Sequence, residues 1–163
     1  MSKIEHSGAV ALDEGLMRWM QGQGPKVWHA FARGVEFDDP GATIDVLLAA
    51  HWIVRQPDMD RATGLLLLAR ALKAGLHIYA PVAMDDAAAR AFCLDLHQRL
   101  SLSTAPARLP VMPEEEALID ALSEGEAPLP LPRCQMKRGI APCAVTFRAN
   151  RPHLIATGLR RAA

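Results

Sequence analysis

The chain has 163 residues, 50% of them apolar and 22% charged, with 12 prolines and a formal net charge of zero. That is enough chain to bury a core without disulfides or metals, and too apolar a composition for global disorder. The zero is a cancellation: residues 1–126 carry 11 of the 18 Lys and Arg and all 18 Asp and Glu, a formal −7, while 127–163 carry the other seven cations and no acid, a formal +7. Such asymmetry points to two surfaces made to meet, or to an anionic partner.

No targeting segment is evident, because Lys3, Glu5, Asp13 and Glu14 interrupt the start. The most apolar stretches, 46–54 and 64–69, are far shorter than the ~18 residues of a membrane span. Cys93, Cys134 and Cys143 are an odd set without secretory context, which suggests reduced thiols and a cytoplasmic protein with no membrane partner.

In chain order, Ala9, Leu12, Leu16, Trp19 and Met20 recur at helical spacing and predict a first helix, closed by the run from Gln21 to Pro25. Pro25 suits the first turn of a second, Lys26–Ala32, with Val27, Ala30 and Phe31 inward. Phe37, Asp38, Asp39, Pro40 and Gly41 read as a turn.

Thr43–Gln56 is apolar nearly all round, broken by His51 and stopped by Pro57. Asp58 or Asp60 then caps Arg61–Ala74, rich in leucine and ended by Gly75. Helices without a broad polar face belong in the middle of a bundle, so these two are expected to pack antiparallel as its centre.

A fifth helix is predicted over Asp85–Leu100, and a sixth over Pro113–Ser123, where Pro-Glu-Glu-Glu matches the preferences of a first turn. Beyond Gly125, the alternation from Ala127 to Pro132 reads as an extended linker. Val145 and Phe147, a turn at Asn150–Pro152 and Leu154–Thr157 then suggest a β-hairpin. The expected fold is mainly α: a compact bundle of five or six helices with a Pro-rich arm and a C-terminal hairpin or extended segment. Two parts are expected, an acidic helical domain over 1–126 and a basic arm and hairpin over 127–163 docked on it.

Between Trp28 and Leu72 the chain resembles domain-of-unknown-function family 4274. The residues that carry the likeness are Trp28-His29, Phe37-Asp38-Asp39, Trp52-Ile53-Val54, Gln56-Pro57 and the run Asp60 to Leu65. Gly64 stands where that pattern has alanine, and the connection from Asp39 to Thr43 differs from it. The resemblance implies a helix–turn–helix pairing with Asp60 as a cap, and no established activity.

Few constellations carry chemistry. His29 with Asp38 and Asp39 is the best acid–base set, because a turn could bring the carboxylates onto the imidazole. Otherwise Asp39 caps a turn and His29 packs at a helix edge. Cys93 and His97, four apart on one helix face, form either a nucleophile–base pair or a buried thiol beside a rim histidine. His51 is a core polar group or lines a pocket. Cys134, Cys143 and His153 match no zinc spacing. There is no Walker loop, dinucleotide fingerprint, zinc-protease helix or serine elbow, and no cofactor or metal is expected.

The basic residues Arg133, Lys137, Arg138, Arg148, Arg151, Arg160 and Arg161 are the candidate interaction residues. Phe147 is the one aromatic among them, which argues against base stacking and for docking on an acidic body, in cis or in a neighbouring subunit. The function expected is therefore a protein-interaction module with a protein partner or self-association; that it is immunity- or adaptor-like is what analogy with the resembled family implies. The alternatives are an enzyme using His29, Asp38 and Asp39, and a weak nucleic-acid binder using the C-terminal cations.

Overall fold

Caps and breakers divide the chain into helices where the sequence places them. The structure, a computed structural model, describes residues 15–39, 44–80, 85–124, 126–132, 136–139, 145–148 and 151–154. Among these the fold is mainly α, with six α-helices: α1, of which 15–21 are described, α2 (Pro25–Gly34), α3 (Ile44–Val54), α4 (Arg61–Lys73), α5 (Asp86–Leu102) and α6 (Pro113–Asp120). A 3₁₀ turn, Ala121–Ser123, prolongs α6. No helix among the described residues is long and apolar enough to cross a membrane.

The ends follow local chemistry. Pro25 opens α2 after Gly24. Asp60 caps α4 by accepting from the Ala62 N–H, and Asp85 caps α5 by accepting from the Ala87 N–H. At the end of α4, Gly75 takes a φ of 77°, and the Leu76 N–H returns to the Ala71 carbonyl. This is the glycine-dependent closure that satisfies late helical carbonyls.

The core centres on α4. Leu65, Leu66, Leu67 and Leu68 are all buried, and the helix packs on α2, α5 and α6. At Gly64 an added Cβ would come within 3.0 Å of both Leu100 and Met59, so the missing side chain permits the close approach of α5. Trp28 and Trp52 meet edge to face at 5.5 Å between α2 and α3, and Phe37 packs near Phe92 at 5.7 Å.

The expected central pair of α3 and α4 is corrected here. α3 packs chiefly on α5 and sits at the rim, with Ile44 and Leu48 exposed. An all-round apolar sequence cannot say which of its faces receives a neighbour, and α4 has three neighbours where α3 has fewer.

The proline-alternating run lies on the helices. Leu131 is buried, its N–H bonds the Leu122 carbonyl at 2.8 Å, and His97 Nε2 donates to the Pro130 carbonyl at 3.0 Å. Two short strands follow from this return, β1 (Pro110–Val111) pairing parallel with β2 (Lys137–Arg138). Beyond them β3 (Val145–Arg148) pairs antiparallel with β4 (Arg151–Leu154), and Phe147 stands opposite Pro152. The turn expected at Asn150–Pro152 is thus displaced, because Arg151 and Pro152 already belong to the second strand. Asn150 and 155–157 lie outside the described residues.

Candidate functional site

His29 is brought to the interior by α2, where it is 2% exposed. Its Nε2 lies 2.9 Å from the Pro110 carbonyl and its Nδ1 lies 3.0 Å from Thr63 Oγ1. A carbonyl only accepts, so Nε2 carries the proton and Nδ1 accepts from the threonine hydroxyl. Both ring nitrogens are thus hydrogen-bonded, and the ring is pinned between α2, α4 and β1. Burial holds its pKa below the ordinary 6.5, against the pull of the Pro110 carbonyl.

The acid–base set expected from the sequence is not assembled. The charged groups whose fields reach His29 are Arg33, Asp60 and Glu115, not Asp38 or Asp39. Asp38 and Asp39 sit in the turn after α2. There Asp38 lines a polar cavity of about 240 Å³ with Glu36, Arg70 and Lys73. The physical reason is position: His29 faces inward from the middle of α2, while Asp38 and Asp39 follow the C-terminal end of that helix.

The remaining charged groups near His29 are also committed. Arg33 Nε donates to Glu115 Oε1 at 2.8 Å, and Glu115 Oε2 accepts from the Met112 N–H at 2.8 Å, which caps α6. Asp60 accepts from Ala62 and Arg108 at 2.9 Å and from Leu109 at 3.3 Å. One carboxylate therefore both starts α4 and fastens the loop before β1.

Arginines on neighbouring helices close three helix C-termini. Arg70 donates to the Arg33 and Val35 carbonyls at the end of α2. Arg99 donates to the Val54 and Gln56 carbonyls at the end of α3. Arg61 reaches the Leu100 and Ser103 carbonyls, at 3.0 and 2.7 Å, at the end of α5. Each cation meets the negative end of a helix and its unpaired carbonyls. The sequence offers no spacing signal for such contacts, which join residues about 35–45 positions apart in the chain.

Cys93 and His97 share a face of α5 but not a reaction. Cys93 is buried and its thiol is pushed up to about 12 by that burial, while His97 holds the Pro130 carbonyl. His51 lies half-buried against the Phe92 ring, with Nε2 2.8 Å from Asp95 Oδ2, and Arg55 approaches the same oxygen at 4.0 Å. Among the described residues no group of three or more His, Cys, Asp or Glu is arranged to hold a metal.

Of the seven C-terminal cations, Arg133, Arg160 and Arg161 lie outside the described residues, as do Cys134 and Cys143. Lys137 is exposed on β2, beside Arg138 in the same strand, and Arg148 and Arg151 form the pair of β3 and β4 nearest the connection.

A concavity of about 750 Å³ was not foreseen from the sequence. The start of α2, the connector from α3 to α4 and the loop 105–109 enclose it, three segments far apart in the chain. Comparison with protein-family models, with curated proteins and with solved structures finds no match for this chain.

Proposed function

We propose that this chain is a protein-interaction module, immunity- or adaptor-like in kind, that works by surface contact rather than by chemistry. One observation carries the reading: α3 is apolar on nearly every face yet lies at the rim, with Ile44 37% and Leu48 44% exposed. On α5, Leu94 is 58% and Leu102 77% exposed. Large exposed apolar side chains on adjoining elements mark contact surfaces.

The occupant we assign is an amphipathic helix of a partner protein. α3 and α5 run side by side in the same direction, since His51 meets Asp95 and the end of α3 meets Arg99. A groove of about 270 Å³ between them is lined by Val54, Arg55, Asp95, Gln98, Arg99 and Leu102. Paired parallel helices offer a third helix ridges and a groove to pack into. Arg55 is 68% exposed at that groove beside the half-exposed Asp95, so the rim offers both signs of charge to polar residues flanking the partner's apolar stripe.

Capture from the native host, followed by titration with the captured protein's helical segment as a synthetic peptide, tests this. Leu48→Asp with Leu102→Asp alters only exposed positions and should melt like the wild type, while binding the peptide at least about tenfold more weakly. Equal binding by both proteins, or no captured protein that contacts this face, overturns the reading.

A further inference from the structure

The cleft of about 750 Å³ is a second surface, separate from the α3–α5 face, and its lining has a chemistry of its own. Three prolines, Pro25, Pro57 and Pro106, form rigid walls, and Val27, Met59 and Leu109 supply apolar surface. Lys26, Arg61 and Arg108 also line it, each from a different one of the three enclosing segments. The acids there are Asp58 and Asp60. They do not face the cavity on equal terms, because Asp60 is already held by three backbone N–H groups. Asp58 is exposed.

We infer that this cleft binds a small organic anion, a carboxylate or phosphate carried on an apolar body. The volume lies within the ~300–1,000 Å³ of ligand sites, and an apolar interior with a few convergent charges is the usual composition of such sites. Arg61 is fixed in place by its bonds to the Leu100 and Ser103 carbonyls, so one cation is positioned before any ligand arrives. Lys26 and Arg108 have exposed side chains on two different segments that line the cleft, free to turn toward a charged group. The apolar body of the ligand would lie against Val27, Met59 and Leu109. A purely polar anion such as inorganic phosphate would leave that surface wet and bind poorly.

Three probes of one shape test the assignment: naphthalene-1-acetate, 1-naphthyl phosphate and the uncharged 1-naphthalenemethanol, titrated by calorimetry and by amide chemical shifts. The anions should bind with shifts concentrated at the lining residues, and the neutral analogue at least about tenfold more weakly. Lys26→Gln with Arg108→Gln removes no side-chain bond seen among the described residues, and should lower anion affinity about tenfold or more with an unchanged melt. Asp58→Asn should move affinity the other way, by a few-fold. Neutral and anionic probes binding alike, shifts outside the cleft, or no binding by any probe would each overturn the proposal.

Discussion

His29 shows how one side chain can look catalytic in the sequence and be structural in the fold. Its two nitrogens tie Thr63 and the Pro110 carbonyl, and a charged ring at that depth would forfeit the hydrogen bond from the threonine. The folded pKa lies below 6.5, so the unfolded chain takes the proton first. This contribution is whole above the unfolded value and is lost as pH falls through it toward the folded one. Denaturant melts between about pH 7.5 and 5 should therefore show falling stability, with a smaller slope in His29→Gln. An unchanged slope would remove His29 as the titrating group. Replacement by Ala should cost on the order of 1–3 kcal/mol, because the buried Thr63 hydroxyl and the Pro110 carbonyl both lose their bonds. Cys93, raised to about 12, should resist thiol reagents in the native protein and react only on unfolding. Rapid labelling of the folded protein at that residue would contradict its burial.

At the scale of elements, α4 holds the bundle together and arginines fasten the helix ends. Leu66→Ala should cost about 2–5 kcal/mol, since the side chain is fully buried among α2, α5 and α6. A loss below about 1 kcal/mol in denaturant melts would deny α4 its central place. Arg99→Met keeps most of the aliphatic stem and removes the donors to the Val54 and Gln56 carbonyls. It should cost about 1.5–3 kcal/mol, as charge-assisted bonds do, with amide exchange quickening at the end of α3. Exchange that quickens uniformly over all helices would instead indicate a general loss of packing. The leucine run of α4 and the Asp60 and Asp85 caps are readable in the sequence, because they depend on near neighbours. The Arg99 contact is not, because its acceptors lie at the end of a different helix, distant in the chain.

For the whole molecule, the division of charge at Glu126 does not coincide with an edge of the core. Leu131 is buried beside Leu65, Ile119 and Leu122, and its N–H is bonded to Leu122. Truncation after Glu126 should therefore destabilise the helices rather than release an inert tail, and Leu131→Asp alone should cost about 2–4 kcal/mol. A truncated chain melting like the full one would make the arm dispensable. The extended shape of residues 127–132 was legible from its prolines, which exclude a helix. Its contact with α5 and α6 was not, because an alternation of Pro and Leu suits a solvated spacer and a docked strap equally.

The sequence by itself determined the helical class, most helix bounds, the caps and the glycine closure after α4, since these arise from interactions a few residues apart. It also left the candidates for chemistry few, and with two readings each. Tertiary structure decided which apolar helix is central and which keeps an open face, and it sent His29 to Thr63 and Pro110 instead of to Asp38 and Asp39. It alone formed the cleft, whose walls come from residues 24–27, 57–61 and 105–109. Periodicity gives the direction of a side chain about its own helix, but the neighbour it meets depends on how helices distant in the chain pack.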